Sequence, residues 1–264
     1  MEQLKMMNEK LVLPKTPSFR LDGQCALVTG ASRGIGLGLA TALAEAGAEV
    51  TLSSRSEKEI NSVVDMICSR GQKARALVLD VTDTKKVASE IKNRGPFQIL
   101  VNNAGSNIPA ELGDITETDF DFVTNLNVRA AIFVAQAVAA GLVAAKLPGS
   151  IINISSQMGH VGGPKRIVYC ATKHAIEGVN KAMAWELGPH NIRVNTICPT
   201  FIKTPMTEGM LKEPGFLEMV TSKIALGRIG QVEDIMGAVI FLASDASSMV
   251  TGSSLMIDGG WTAI

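Results

Sequence analysis

The sequence predicts an α/β chain with a doubly wound parallel sheet and helices on both faces. Three observations predict it. Short apolar runs alternate with helical stretches along the chain, the order that builds strand–helix–strand units. Some runs, such as Ile99-Leu100-Val101 and Ile151-Ile152, are apolar without interruption, as strands covered on both faces must be. A glycine-rich turn joins the first strand to the first helix.

The elements follow in order. Residues 25–29 (Cys-Ala-Leu-Val-Thr) predict a strand that stops at Gly30, and residues 34–46 a helix that stops at Gly47, a residue suited to ending helices. Further strands are expected over 49–53, 74–79, 97–101, 150–154, 192–197 and 254–257. Helices are expected over 57–70, 85–93, 120–146, 168–187 and 232–243. No linker divides these elements, so residues 21–264 predict one domain, preceded by an N-terminal extension, residues 1–20. The stretch 200–223 carries Pro205, Gly209, Pro214 and Gly215 and no strand pattern, which suits a lid or binding loop. The helical stretch 128–145 is apolar almost all round. It predicts burial on all sides, one face against the sheet and the other against a neighbouring helix or, preferably, a second subunit.

Composition narrows the function classes. Lys plus Arg is 25 and Asp plus Glu is 25, so the chain lacks the basic surplus of a general nucleic-acid binder. Apolar residues are 46% and charged residues 19%, too apolar for a disordered chain. No uninterrupted apolar run approaches the ~20 residues of a membrane span, and residues 1–20 lack the apolar core of a signal peptide. Neither a nucleic-acid nor a membrane partner is expected. None of the four cysteines pairs as C-x-x-C and no His/Cys cluster has zinc spacing, so no metal set is expected. Structural thiols in a reducing cytoplasm are the reading.

The turn Thr29-Gly30-Ala31-Ser32-Arg33-Gly34-Ile35-Gly36 lets backbone amides approach a phosphate at the positive end of a helix. A turn needing positive φ gives the same letters, but the strand–turn–helix setting favours a dinucleotide. A carboxylate at the second strand's end would bind the 2′-hydroxyl of NAD. This chain has Ser53-Ser54-Arg55 there, and Arg55 with Arg33 suits the 2′-phosphate of NADP, NAD remaining possible. Asp80 and Val81 would face the adenine.

Tyr169 and Lys173 stand one helical turn apart and share a face. A free phenol has pKa about 10, and a nearby ammonium favours the phenolate, making Tyr169 a usable acid or base. Isolated pairs of this kind are mostly surface residues. Ser156 lies thirteen residues upstream, just past the fifth strand, where it could bind a substrate oxygen or cap a turn. Asn102-Asn103-Ala104-Gly105 leaves the fourth strand at the same sheet edge and is in part an Asx turn.

Taken in order and spacing, the turn at 30–36, Asn102–Gly105, Ser156, Tyr169 and Lys173 resemble the motifs of the single-domain short-chain dehydrogenase/reductase family, over about residues 21–264. The resemblance implies a Rossmann fold with seven parallel strands. It implies that Ser156 holds a carbonyl oxygen while Tyr169 exchanges the proton. Lys173 would lower the Tyr169 pKa and bind the nicotinamide ribose, and Asn127 would anchor a relay water, with Asn125 a rival in the wrong register. It implies cofactor contacts from Gly30, Ser32, Arg33, Gly34, Ile35, Gly36, Ser54, Arg55, Asp80, Val81, Asn103, Ala104 and Gly105, from Tyr169 and Lys173, and from Pro199, Ile202 and Thr204. The family's usual Pro-Gly is Pro199-Thr200 here, a departure in that loop. A homotetramer is expected.

The substrate pocket is expected from 106–110, 157–166 and 200–223. His160 could touch substrate or be an ordinary loop residue, and Lys165 and Arg166 could meet an acid or water. The C-terminal Asp258-Gly259-Gly260-Trp261-Thr262-Ala263 resembles sugar-acid and polyol dehydrogenases of the gluconate 5-dehydrogenase kind. The alternatives are a 3-oxoacyl-[acyl-carrier-protein] reductase and a non-catalytic dinucleotide-sensing regulator.

Overall fold

The computed structural model describes residues 13–263. Residues 1–12 of the expected extension lie outside the described residues. Residues 13–20 run without helix or strand and are exposed, and ordered packing begins at buried Leu21, whose amide donates to the Ala46 carbonyl at 2.9 Å.

Seven strands make one sheet: β1 (Cys25–Thr29), β2 (Glu49–Ser54), β3 (Ala74–Val78), β4 (Ile99–Asn102), β5 (Gly149–Ile154), β6 (Ile192–Pro199) and β7 (Ser254–Ile257). Their order is β3-β2-β1-β4-β5-β6-β7, and each neighbouring pair is parallel. The winding direction reverses between β1 and β4. A crevice therefore opens at the carboxyl ends of these two strands, where open α/β sheets bind ligands.

The helices follow the apolar spacing. They are α1 (Gly34–Glu45), α2 (Glu57–Ser69), α3 (Thr84–Arg94), α4 (Glu117–Thr124), α5 (Ala131–Ala145), α6 (Ile167–Leu187), α7 (Glu208–Leu211), α8 (Phe216–Thr221) and α9 (Glu233–Ala243). Ser56, Asp83 and Thr116 cap α2, α3 and α4 through side-chain oxygens, satisfying amides the helix leaves free. One core lies on the α1, α2 and α9 face of the sheet, around Leu39, Leu43, Ile60 and Val239. The other lies on the opposite face, around Val87, Ile91, Val134, Val138 and Leu142.

Three expectations change. The helix expected over 120–146 is a longer composite, in which a π-helical turn, Asn125–Ala130, separates α4 from α5. The wider turn faces Asn127 inward, against the loop after β4. Second, within the single chain α5 is buried on one face only. Val134, Ala135, Val138, Ala139 and Leu142 face the core, while Phe133 and Val143 stay exposed, because one helix can offer one sheet only one face. The composite Glu117–Ala145 is also long and apolar enough to cross a membrane, which run length alone missed because polar residues interrupt it. Its inner face is seated on the core. Third, the stretch 200–223 carries α7, α8 and a parallel bridge between Ile202 and Gly230. Trp261 packs on this segment, its ring 5.9 Å from Phe201.

Candidate active site

The crevice is a cleft of about 810 Å³. Its floor is the turn after β1. Gly30 and Gly34 hold φ of +63° and +56°, the left-handed region glycine enters freely. A Cβ on Gly36 would collide with the Gly30 carbonyl and the Asn103 amide. Asn103 pins this turn, donating from Nδ2 to the Thr29 and Gly30 carbonyls at 2.9 and 3.0 Å. Thr29 Oγ1 in turn accepts from the Asn103 and Ala104 amides at 3.0 and 3.1 Å. Asn103 is thus spent on the turn as well as lining the cleft. Asn102 is purely internal, donating to Ala131 O and Asn153 Oδ1, both at 3.0 Å.

The N-terminus of α1 has no side-chain cap. Its amides are left for an anion, and the bare glycine turn leaves room for one. The residues therefore fit a dinucleotide's pyrophosphate. Ser32, Arg33, Ser54 and Arg55 surround the corner beyond β2, and Asp80 and Val81 follow β3 along the same wall. Burial would raise the Asp80 carboxyl, but hydrogen bonds from Thr82 and the Arg55 charge hold it below the usual range. Ile35, Ala104, Gly105, Pro199, Ile202 and Thr204 complete the wall. Thr200 replaces the usual glycine without left-handed backbone; its amide donates to the Ile257 carbonyl at 3.2 Å. The segment closes over the turn, since a Cβ on Gly34 would sit 3.5 Å from Thr204.

Ser156, Tyr169 and Lys173 meet at the cleft's inner end. Lys173 Nζ is buried and donates to the Ile154 carbonyl at 2.7 Å; it lies 5.5 Å from the centre of the Tyr169 ring. Burial lowers the Lys173 pKa to about 8, against the pull of Cys198 and Glu177. Ser156 is both cap and cleft residue. Its Oγ accepts from the Met158 amide at 3.1 Å and donates to Gln157 Oε1 at 2.8 Å.

Burial raises the Tyr169 pKa above 10, while the Ser156 hydrogen bond and the Arg166 charge lower it. Arg166 is thus a second cation near the phenol, beside Lys173, whose ammonium is anchored on the strand end. Arg166 is not a solvated residue. It is buried, donates to Lys165 O at 3.3 Å and touches Met210 Sδ at 3.0 Å, and among the described residues it forms no ion pair. Lys165 is exposed and pairs with Glu111 at 3.4 Å.

Asn127 lies behind the cleft. Its Oδ1 accepts from the Ser106 amide at 2.8 Å, and its Nδ2 donates to Ser106 O at 2.9 Å and Thr172 Oγ1 at 3.1 Å. It clamps the loop after β4 to the turn of α6 between Tyr169 and Lys173. Asn125 is the one of the pair that lines the cleft. His160 points away from it, toward Cys198.

The family described as enoyl-(acyl carrier protein) reductase matches residues 30–262. The chain is 39% identical over 245 residues to the L-xylulose reductase of Bos taurus, covering 93% of this chain and 99% of the relative. It is 41% identical over 248 residues to the gluconate 5-dehydrogenase of Gluconobacter oxydans (strain 621H), covering 92% and 96%. The chain belongs to the short-chain dehydrogenase/reductase family. Within it, the crystal structure of a gluconate 5-dehydrogenase from Burkholderia cenocepacia J2315 in complex with NADP and tartrate superposes with a TM-score of 0.90 at 36% identity, covering 93% of this chain and 98% of that one.

One residue of this dehydrogenase/reductase, Glu59, is not singled out by the sequence, and for another, Arg166, the sequence leaves an acid and water as alternatives. Glu59 on α2 reaches the corner beside Arg33 and Arg55 and accepts from Ser32 Oγ at 3.0 Å; only its place one turn into α2 hinted at this. Arg166 carried no signal of its burial, because charge alone does not reveal it. Replacing it, Arg166→Met, removes a positive charge that favours the phenolate. The Tyr169 pKa should rise by about one unit, moving the alkaline limb of the pH–rate profile to higher pH. An unmoved limb would clear Arg166 of that influence.

Proposed function

We propose that this chain is an NADP(H)-dependent oxidoreductase that interconverts a ketone and a secondary alcohol on a sugar, sugar-acid or polyol-type substrate, with Tyr169 as the acid/base. The observation that carries the reading is the meeting of Ser156, Tyr169 and Lys173 at the inner end of a cleft floored by the glycine turn. Bound NADPH would supply the hydride. The turn and the free amides of α1 would hold its pyrophosphate, Arg33 and Arg55 its 2′-phosphate, and Lys173 its ribose.

The protein's own part is proton transfer and orientation. Ser156 holds the carbonyl oxygen with its hydroxyl, which must turn from Gln157 Oε1 to do so. Tyr169 gives that oxygen a proton in reduction and takes it back in oxidation. Lys173, mostly protonated at neutral pH with a pKa of about 8, keeps a positive charge beside the phenol. Asn127 is a positioning residue for Thr172 and the loop at Ser106; a relay water held there is carried over from the family resemblance.

The names of the relatives support a sugar-type substrate. Buried Arg166 beside Tyr169 forms no ion pair among the described residues and feels the Glu213 carboxylate only at longer range, which favours a sugar acid within that class, since buried charges are normally paired. An acyl-carrier thioester is the second reading, favoured by the description of the matching family. We take residues 21–264 as one catalytic domain. Its four free cysteines fit a cytoplasmic location. The apolar outer face of α5, with Phe133 and Val143, and Trp185 on α6, 87% exposed, supports a homotetramer.

Tyr169→Phe should leave NADPH binding near normal and cut turnover of ketogluconates and ketopentoses by about 100-fold or more. Wild-type-like turnover would sink the assignment, and preference for acetoacetyl thioesters over the whole sugar panel would move it to the second reading. For Arg55→Asp, the ratio of NADPH to NADH efficiency should fall about tenfold or more; an unchanged ratio would remove Arg55 from the 2′-phosphate corner. Light scattering at micromolar protein should give the mass of four chains, and a monomer would contradict the assembly.

A further inference from the structure

Among the described residues, one cluster of ligating side chains lies outside the cleft. His160 follows the turn after Ser156, Glu177 lies one turn of α6 beyond Lys173, and Cys198 precedes Pro199 on β6. None of the three lines the cleft, and no catalytic step above uses them. Sequence spacing could not reveal them as a set, because the fold gathers them from three separate elements.

Their donor atoms form a near-equilateral triangle. Cys198 Sγ is 3.5 Å from His160 Nε2 and 3.3 Å from Glu177 Oε1, and His160 Nε2 is 3.6 Å from Glu177 Oε1. Sulfur, nitrogen and oxygen ligands at tetrahedral angles around zinc lie about 3.3–3.6 Å apart, given its usual bond lengths. The triangle therefore matches one face of a zinc tetrahedron.

The surroundings suit a cation. Glu177 and Cys198 are buried. The other carboxylate oxygen, Oε2, accepts from Thr196 and Ser254, which fixes the carboxylate as outer-shell donors do in metal sites. Ser155 is buried beside Cys198, with its hydroxyl facing the sulfur. The His160 side chain is 33% exposed and provides an entry path. Burial pushes the Cys198 thiol up to about 12, so in the absence of metal the sulfur stays protonated, within reach of Glu177.

We propose that His160, Glu177 and Cys198 form a three-ligand site for a zinc-class divalent cation, with a fourth position left to solvent. A thiolate, an imidazole and a single carboxylate select zinc or cobalt over magnesium or calcium, which take oxygen ligands. On binding, the Cys198 S–H bond breaks, its proton passes to solvent, and the sulfur lone pair forms the metal bond. The proposal does not depend on the reading of the cleft.

Cobalt(II) titration of the full chain tests it. One equivalent should produce a thiolate-to-cobalt charge-transfer band with the strong visible bands of four-coordinate cobalt, and zinc should bleach both by displacement. Cys198→Ser should abolish the charge-transfer band. His160→Ala, at the solvent edge, should keep the fold and weaken cobalt affinity by about 100-fold or more. No thiolate band in the wild type overturns the proposal, as does a band that persists unchanged in both variants, which would place the metal on Cys25, Cys68 or Cys170.

Discussion

A buried ammonium has to find an acceptor, and Lys173 finds it in the Ile154 carbonyl, 2.7 Å away at the end of β5. Much of the site depends on that bond. It fixes the first turns of α6 against the strand whose next residues are Ser155 and Ser156. Tyr169, one turn earlier on the same helical face, is thereby held at the Ser156 hydroxyl. Leaving a buried charge without a partner costs several kcal/mol, so this corner has little freedom to drift. Burial also depresses the Lys173 pKa to about 8, which leaves the ammonium intact at neutral pH but poised near its loss.

The other end of the cleft rests on a second tie. Thr29 and Asn103 bind the ends of β1 and β4 to each other at the place where the sheet reverses its winding. The glycine turn is held open by this tie, because Asn103 occupies the space that a side chain at Gly36 would need. The two ties fix the two ends of one cleft about a common sheet edge, which is why distant residues of the chain can act on a single ligand.

Much of this was legible in the sequence because it rests on local chemistry. Uninterrupted apolar runs mark the strands of a doubly covered sheet. Gly30, Gly34 and Gly36 mark a turn no larger residue could make, and Tyr169 with Lys173 follows from helical periodicity. What was not legible depends on events across the chain. The π-helical turn that carries Asn127 inward has no letter of its own. Val143 and Phe133 read as core residues by type, yet the sheet has only one face to offer α5. Arg166 and Lys165 look alike in sequence; one is buried beside the phenol and the other pairs with Glu111 at the surface. His160, Glu177 and Cys198 become neighbours only when β6 lies beside α6.

Tyr169 is the sole tyrosine of the chain, so its ionisation can be read without interference from another phenol. The most direct measurement is an alkaline titration of tyrosinate absorbance, with and without NADP+. The account predicts a midpoint above 10 without the dinucleotide, from burial, and a fall of about one unit or more when the cationic nicotinamide is bound. A midpoint at the ordinary value that ignores NADP+ would mean the phenol does not stand in the cleft described above.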